Sequence, residues 1–335
     1  MKTSLLCFIL FFENERKKKT FEKEEKGKAM SLALAKQILV LFLMMGGGYA
    51  LVKLKIIPAS GSSVISKIVI YLVTPCVLIS SFQVKLTKET MAGFLLCIFA
   101  ALLIHGILFV LMWILNKFFH FTAIEKTSIM YSNSGNLIFP LITALLGEDW
   151  IIYSSAFLCV QLFFIWSHCR SCIEGEKHID LKKIFTNINI ISIFIGLFLL
   201  IMGIELPSVL ADTMDSLSNT VGPLSMIMIG MILSQVKWKE FIFSKRFYLV
   251  IFLKMIVTPV LIMLVLKYSG LVNMHSDGKT LLFISLLAVS TPSAAAVVQI
   301  SQLYDNDTKY ASAINSATAL VSLLSMPLVV ALYYI

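Results

Sequence analysis

Two long apolar segments of this chain are interrupted at their middles, and the interruptions occupy matching places in its two halves. The first reads Tyr131-Ser132-Asn133-Ser134-Gly135-Asn136-Leu137-Ile138-Phe139-Pro140, the second Ala288-Val289-Ser290-Thr291-Pro292-Ser293-Ala294-Ala295. Both polar clusters lie in stretches otherwise apolar enough to cross a bilayer. Lipid offers no hydrogen-bond partner, so each freed N–H or C=O group costs several kcal/mol. Irregular backbone persists at that depth only when it is buried in protein or lines a wet cavity. A matched pair of interruptions in two halves is the sequence pattern of a secondary transporter's binding site.

The surrounding composition supports a polytopic membrane protein. The chain has 335 residues, 58% hydrophobic and 14% charged, whereas a soluble domain is nearer half apolar and a quarter charged. With roughly 20 apolar residues per span, ten spans are expected, at about 31–52, 63–82, 91–115, 127–146, 150–166, 187–202, 208–233, 247–266, 281–302 and 310–334. The longest polar linker, 168–186, divides the chain into a first five-helix repeat (31–167) and a second (187–335). An offset of about 150 residues relates Thr74-Pro75 to Gly222-Pro223, Lys126-Thr127 to Lys279-Thr280, and one interruption to the other. An odd number of spans per half makes the repeats opposite in topology. The fold expected is all-α, with two inverted five-helix repeats and crossed, broken helices four and nine.

The net charge of +9 reflects lysines and arginines between spans and no basic stripe interleaved with aromatics, so nucleic acid is not an expected partner. Lys53, Lys55, Lys117, Lys126, Arg170, Lys177, Lys182, Lys183, Lys237, Lys239, Lys245, Arg246 and Lys309 fall on one side. After the first span, the other side holds only Lys85, Lys88, Lys267 and Lys279. This bias places both termini outside and the central loop in the cytosol. Cys169 and Cys172 form a CxxC with His168 and His178 nearby, which reads as a reduced cytosolic loop rather than a metal site.

Thr291-Pro292-Ser293-Ala294 reads as a helix start, with Thr291 as N-cap and Pro292 at the first helical position. Asn133, Ser134 or Asn136 can cap a half-helix running through Leu137, and Gly135 tolerates close backbone approach. If the halves are inverted, two half-helix N-termini converge near the midplane, each with free N–H donors and about half a positive charge. That arrangement suits a carboxylate better than a cation. Lys254, inside the eighth span, can attract an anionic substrate, pair with helix carbonyls or snorkel. His105 and Gln161 read as helix–helix hydrogen bonds, Asn315 and Ser316 as similar groups within reach of the site, and Gly46-Gly47-Gly48 as a tight packing surface. The carboxylates considered, among them Glu148, Asp149, Glu205 and Asp305, sit near span ends or in loops, which argues against a cation/proton antiporter built on an intramembrane Asp pair. No Walker A, HExxH or GxSxG pattern occurs, so an enzyme is not expected.

Val73-Thr74-Pro75, Asn133-Ser134-Gly135 with Pro140, Gly203-Ile204-Glu205-Leu206-Pro207, Pro223 to Gly230, Thr291-Pro292-Ser293-Ala294 and Met326-Pro327 occur in that order. As an ordered set they resemble the auxin efflux carrier family, which includes plant PIN proteins and bacterial malate- or malonate-permease-like carriers. The resemblance covers residues 31–335. It implies a scaffold of helices one, two, six and seven, often homodimeric, and a moving unit around the crossed helices. It also implies an elevator-like mechanism and organic-anion substrates. Asn133 matches the family's crossover asparagine and Pro292 its ninth-helix proline. Ile138 stands where many bacterial members have glycine and Asn136 where an apolar residue is common, and both departures bear on substrate identity. The central loop lacks the long insert of the long plant PIN proteins, so hormone transport is not expected.

The reading is a carrier of small organic carboxylates in a bacterial plasma membrane, with no cofactor and with Na+ or H+ as candidate coupling ions. Its substrate site comprises Asn133, Ser134, Gly135, Asn136, Ser290, Thr291, Pro292, Ser293 and Lys254. The alternatives are a sodium-coupled symporter of bile-acid-carrier type and a membrane ligand sensor that moves nothing. Residues 1–29 form a leader whose seven basic residues from Arg16 to Lys28 would fall on the outer side, against the charge bias. Met1–Phe12 has the apolar character of a short signal segment but no small-residue cleavage site follows. Glu22 to Lys28 has the composition that purine-rich codons encode, as a ribosome-binding site would. Translation is therefore expected to start at Met30. Intact mass of the protein made from its native locus tests this, and a peptide spanning residues 13–28 refutes it.

Overall fold

The computed structural model describes residues 32–33, 35–175, 182 and 185–334. The leader and His178 lie outside the described residues. The chain is an all-α polytopic membrane protein. Its segments are α1 (Ala35–Lys53), α2 (Gly61–Ser81), α3 (Lys88–Phe119), α4a (Ala123–Met130), α4b (Ser134–Leu145), α5 (Glu148–Glu174), α6 (Ile188–Met202), α7 (Ser208–Leu233), α8 (Lys245–Tyr268), α9a (Gly278–Ser290), α9b (Ala295–Leu303) and α10 (Thr308–Tyr334). Among the described residues, seven of these are long and apolar enough to cross a membrane; α4b, α6 and α9a are shorter apolar helices.

Hydrogen bonds between connectors sort them into two faces. On one, Gln235 donates to the Ala59 carbonyl, Arg246 to that of His120 and Asn306 to that of Ile173. On the other, the Leu206 N–H donates to Gln83, His275 bonds the Glu89 carbonyl, and Tyr333 donates to that of Lys279. Successive helices therefore alternate in direction. The first face carries most of the lysines and is called the lysine-rich face below.

Prolines shape individual helices. Pro75 and Pro259 each follow a five-residue π segment, Val69–Val73 in α2 and Leu253–Val257 in α8. Proline lacks the N–H that would bond four residues back, and its ring crowds that carbonyl. A widened turn accommodates both effects. In α8 this turn carries Lys254.

The fifth helix is longer than the sequence pattern predicts. Its apolar run ends at Trp166, yet helix continues through a π segment, Ile165–Cys169, to Glu174. The expected loop at 168–186 therefore begins inside a helix. Its polar groups are satisfied within the protein: the Tyr131 hydroxyl bonds His168 Nδ1 at 2.8 Å, and Arg170 donates to Tyr304 and pairs with Glu174 at 2.9 Å. The CxxC thus lies on helical turns, with Cys169 buried and Cys172 Sγ 3.3 Å from His168 Nε2.

Helices α1 and α7 cross closely enough that backbone touches backbone. A Cβ on Gly48 would overlap the Ile227 carbonyl, and one on Gly230 the Met45 carbonyl. Of the triplet Gly46-Gly47-Gly48, only Gly48 is at this crossing; the other two face open space. Gly230→Ala is expected to cost about 1–3 kcal/mol, because rigid backbone cannot yield to the added carbon. Gly47→Ala, the same chemical change with room to spare, is expected to leave the melting temperature in detergent unchanged. Equal melting of the two variants would refute the packing account.

Candidate functional site

The two interruptions meet. Ser132 and Ser293 form an antiparallel bridge. The Asn133 N–H donates to the Pro292 carbonyl at 2.7 Å, and the Ala294 N–H to the Tyr131 carbonyl at 3.0 Å. Each unwound strand thereby gives the other the partners that lipid could not supply.

Neighbouring helices complete the accounting. Gln161 of α5 donates through Nε2 to the Ser132 carbonyl at 2.8 Å and to Ser134 Oγ at 2.7 Å, while its Oε1 accepts from the Ser132 N–H at 3.4 Å. From α10, Asn315 donates to the Ser293 carbonyl at 2.7 Å, and Thr318 Oγ1 accepts from the Ser293 N–H at 3.1 Å. Gln161 is thus not a simple helix–helix tie; it splints the break. Asn315, a polar group that the sequence places within reach of the site, does reach the crossing. Thr318 has no mark in the sequence pattern, and Tyr131 and Ser132 belong to the first interruption without a role of their own there; the crossing reveals their parts.

The helix starts differ from those predicted. The second half-helix of the ninth span begins at Ala295, with Ala294 as N-cap and no side-chain cap. Thr291 instead ends α9a, and its hydroxyl donates back to the Ala288 carbonyl at 2.9 Å. Ser290 likewise donates to the Leu286 carbonyl at 2.7 Å. Pro292 lies in the extended strand, where its carbonyl accepts from Asn133. The cause is tertiary: pairing with 131–133 holds residues 291–294 extended and displaces the helix start by three positions.

Asn133 is the N-cap of α4b, but its side chain makes no capping bond. Its Oδ1 accepts from Asn136 Nδ2 at 3.0 Å, and its own Nδ2 is buried with no protein partner. Ser293 Oγ is buried and unpartnered as well. Ser134 is fully buried; Gly135 and Asn136 are half-buried. Lys254 does not snorkel: it is 0% exposed, and Nζ donates to Ser132 Oγ at 2.6 Å.

A cavity of about 740 Å³ reaches from the lysine-rich face to this region. Its lining includes the exposed Lys67, Lys237, Glu240 and Lys309 and, from α9b, Ala295 and Ala296. The first turn of α9b therefore meets the cavity, and no side chain caps its N–H groups. Asn133, Ser134, Gly135, Asn136, Ser290, Thr291, Pro292, Ser293 and Lys254 do not line it. The structure brings Asn133 onto Pro292 and Lys254 onto Ser132, but leaves the crossing itself closed.

Away from the crossing, Glu125 is buried at the start of α4a, a carboxylate the sequence pattern did not single out. It pairs with Arg246, accepts from Tyr310 at 3.2 Å and closes a capping box with Thr122. This network joins α4a, α8 and α10 at the lysine-rich face. His105 bonds its own helix at the Ala101 carbonyl and stacks on Phe164.

The family described as Membrane transport protein matches residues 33–178 and 176–330, nearly the whole chain. No curated protein matches.

The splinting by Gln161 has a measurable consequence. Gln161→Leu strands the Ser132 carbonyl and the Ser134 hydroxyl in a buried site, at an expected cost of about 1–3 kcal/mol for each group left unpaired. Thermal unfolding of the detergent-solubilised protein should show a marked drop in melting temperature. An unchanged melt would mean that the break is held without Gln161.

Proposed function

We propose that this chain, which belongs to the membrane transport protein family that comprises the auxin efflux carriers, is a secondary active or facilitative carrier of small organic carboxylate anions. The observation that carries the reading is the N-terminus of α9b, which no side chain caps, at a cavity whose lining also includes Lys67, Lys237 and Lys309. A helix N-terminus offers N–H donors and about half a positive charge, which a carboxylate satisfies without the desolvation cost of a buried formal charge. Asn133 Nδ2 and Ser293 Oγ supply two further polar groups that lack partners. Asn133 and the first turn of α4b, with Ser134, Gly135 and Asn136, form the substrate site together with Pro292 and Ser293 of the facing strand once the crossing admits a ligand. Ser290 and Thr291, bonded to their own helix, shape the turn.

In the proposed mechanism, α1, α2, α6 and α7 form a scaffold along which the remaining helices slide, carrying the crossing between the two faces. The close α1–α7 contact supports a rigid scaffold. Between the two groups, the described side-chain hydrogen bonds are Ser81 with Ser155 and Gln299 with Ser66. Bonds between neutral side chains are worth about 1 kcal/mol net, so sliding costs little there. The proposed setting is a bacterial plasma membrane, with both termini outside, the lysine-rich face in the cytosol and the carrier homodimeric through its scaffold.

Protein comprising residues 30–335 in liposomes tests this with labelled malate, malonate, pyruvate, citrate and indole-acetate, with and without imposed Na+ and H+ gradients. Saturable uptake of one acid, abolished in Asn133→Ala while expression is retained, is the expected outcome. Near-normal transport by Asn133→Ala would refute the site. Ligand-induced thermal stabilisation without uptake would favour a sensor.

A further inference from the structure

Three charged side chains are buried among the described residues: Glu125, Arg170 and Lys254. Glu125 pairs with Arg246, and Arg170 pairs with Glu174. Lys254 is the most deeply buried and has no carboxylate partner among the described residues. A lone ammonium at membrane depth is costly unless negative potential surrounds it.

The crossing supplies that potential from backbone. Helix α4a ends at Met130 and α9a at Ser290. The last turn of each helix presents carbonyls that lack intrahelical partners and about half a negative charge. Lys254 Nζ donates to Ser132 Oγ, two residues beyond the end of α4a, and that hydroxyl donates at 2.9 Å to the carbonyl of Val289 in the last turn of α9a. The ammonium therefore lies beside the negative ends of two half-helices. The first turns of α4b and α9b, which carry the positive ends, are the anion-binding part of the crossing. The π turn before Pro259 is what carries Lys254 there. Oxygen-rich helix ends are also what a hard alkali cation seeks.

We propose that Lys254 is the resident cation of the crossing: its ammonium holds, by covalent attachment, the place that a coupling alkali ion would take, and the carrier therefore works without Na+. Lys254 is a positioning residue, acting on substrate through Ser132 and the geometry of the break. The transport arm of this inference rests on the carrier reading above.

The test compares liposome uptake and detergent melting temperature in NaCl and in choline chloride. For the unaltered protein both are expected to be the same in the two salts; Na+-dependent uptake or Na+-induced stabilisation would overturn the proposal. Lys254→Ser removes the ammonium and leaves a space lined by oxygens. Its uptake in choline chloride is expected to fall about tenfold or more, the scale of losing a hydrogen bond to a charged group. Uptake and melting temperature should both recover in part when NaCl or ammonium chloride replaces choline chloride. Uptake equally low in all three salts, or unimpaired uptake by Lys254→Met, would overturn the proposal. The comparison on the unaltered protein decides even where Lys254→Ser does not fold. The melting arm is independent of transport. A cation-sensitive Lys254→Ser melt with no acid taken up by the unaltered protein would therefore refute the carrier reading and leave this one standing.

Discussion

Backbone hydrogen bonding in a medium without water governs this molecule. A helix solves the problem within one segment, and most of the chain takes that solution. The fourth and ninth spans do not, and every group freed by unwinding must find a partner elsewhere. The crossing supplies partners by setting one break against the other: Asn133 bonds Pro292 and Ala294 bonds Tyr131. Gln161, Asn315 and Thr318 then serve the groups that remain. Neither break is tenable alone, so the two repeats must be folded together before either is stable.

The same geometry sets the local electrostatics. Unwinding of the two spans brings four helix ends, two negative and two positive, to the crossing. Buried Lys254 stands beside the negative ends. At least one positive end, that of α9b, is left uncapped against a large cavity. Opposite potentials thus stand on the two sides of the crossing.

Much of this was legible in the sequence. The Asn133 and Pro292 clusters stand out because polar and helix-breaking residues interrupt apolar runs, and their shared offset marks the repeat. The lysine bias sorts the connectors. Lys254 stands out as a cation within a span. Other parts were not legible. Thr318 is an ordinary helix residue by pattern and Gln161 reads there only as a helix–helix hydrogen bond; their roles depend on which strand passes beside them. The start of α9b was misplaced because a threonine followed by proline has local capping preferences that pairing with 131–133 overrides. The fifth helix outran its apolar stretch because His168 and Arg170 find partners on Tyr131 and Tyr304. Glu125 carries no mark in the sequence because its partner, Arg246, is 121 residues away.

By itself, then, the sequence determined the class of solvent, the spans, their pairing into two halves and the places where helices must break. These follow from short-range facts: apolar length, proline, glycine and charge spacing. The tertiary structure decided how the breaks are held. It set which strand satisfies which, where α9b begins, that Lys254 points at Ser132 rather than at water, and that a cavity reaches the end of α9b. Those outcomes depend on contacts between residues more than a hundred positions apart, and a hydrogen bond's value there is set by the absence of any competing partner, which only the packed structure imposes.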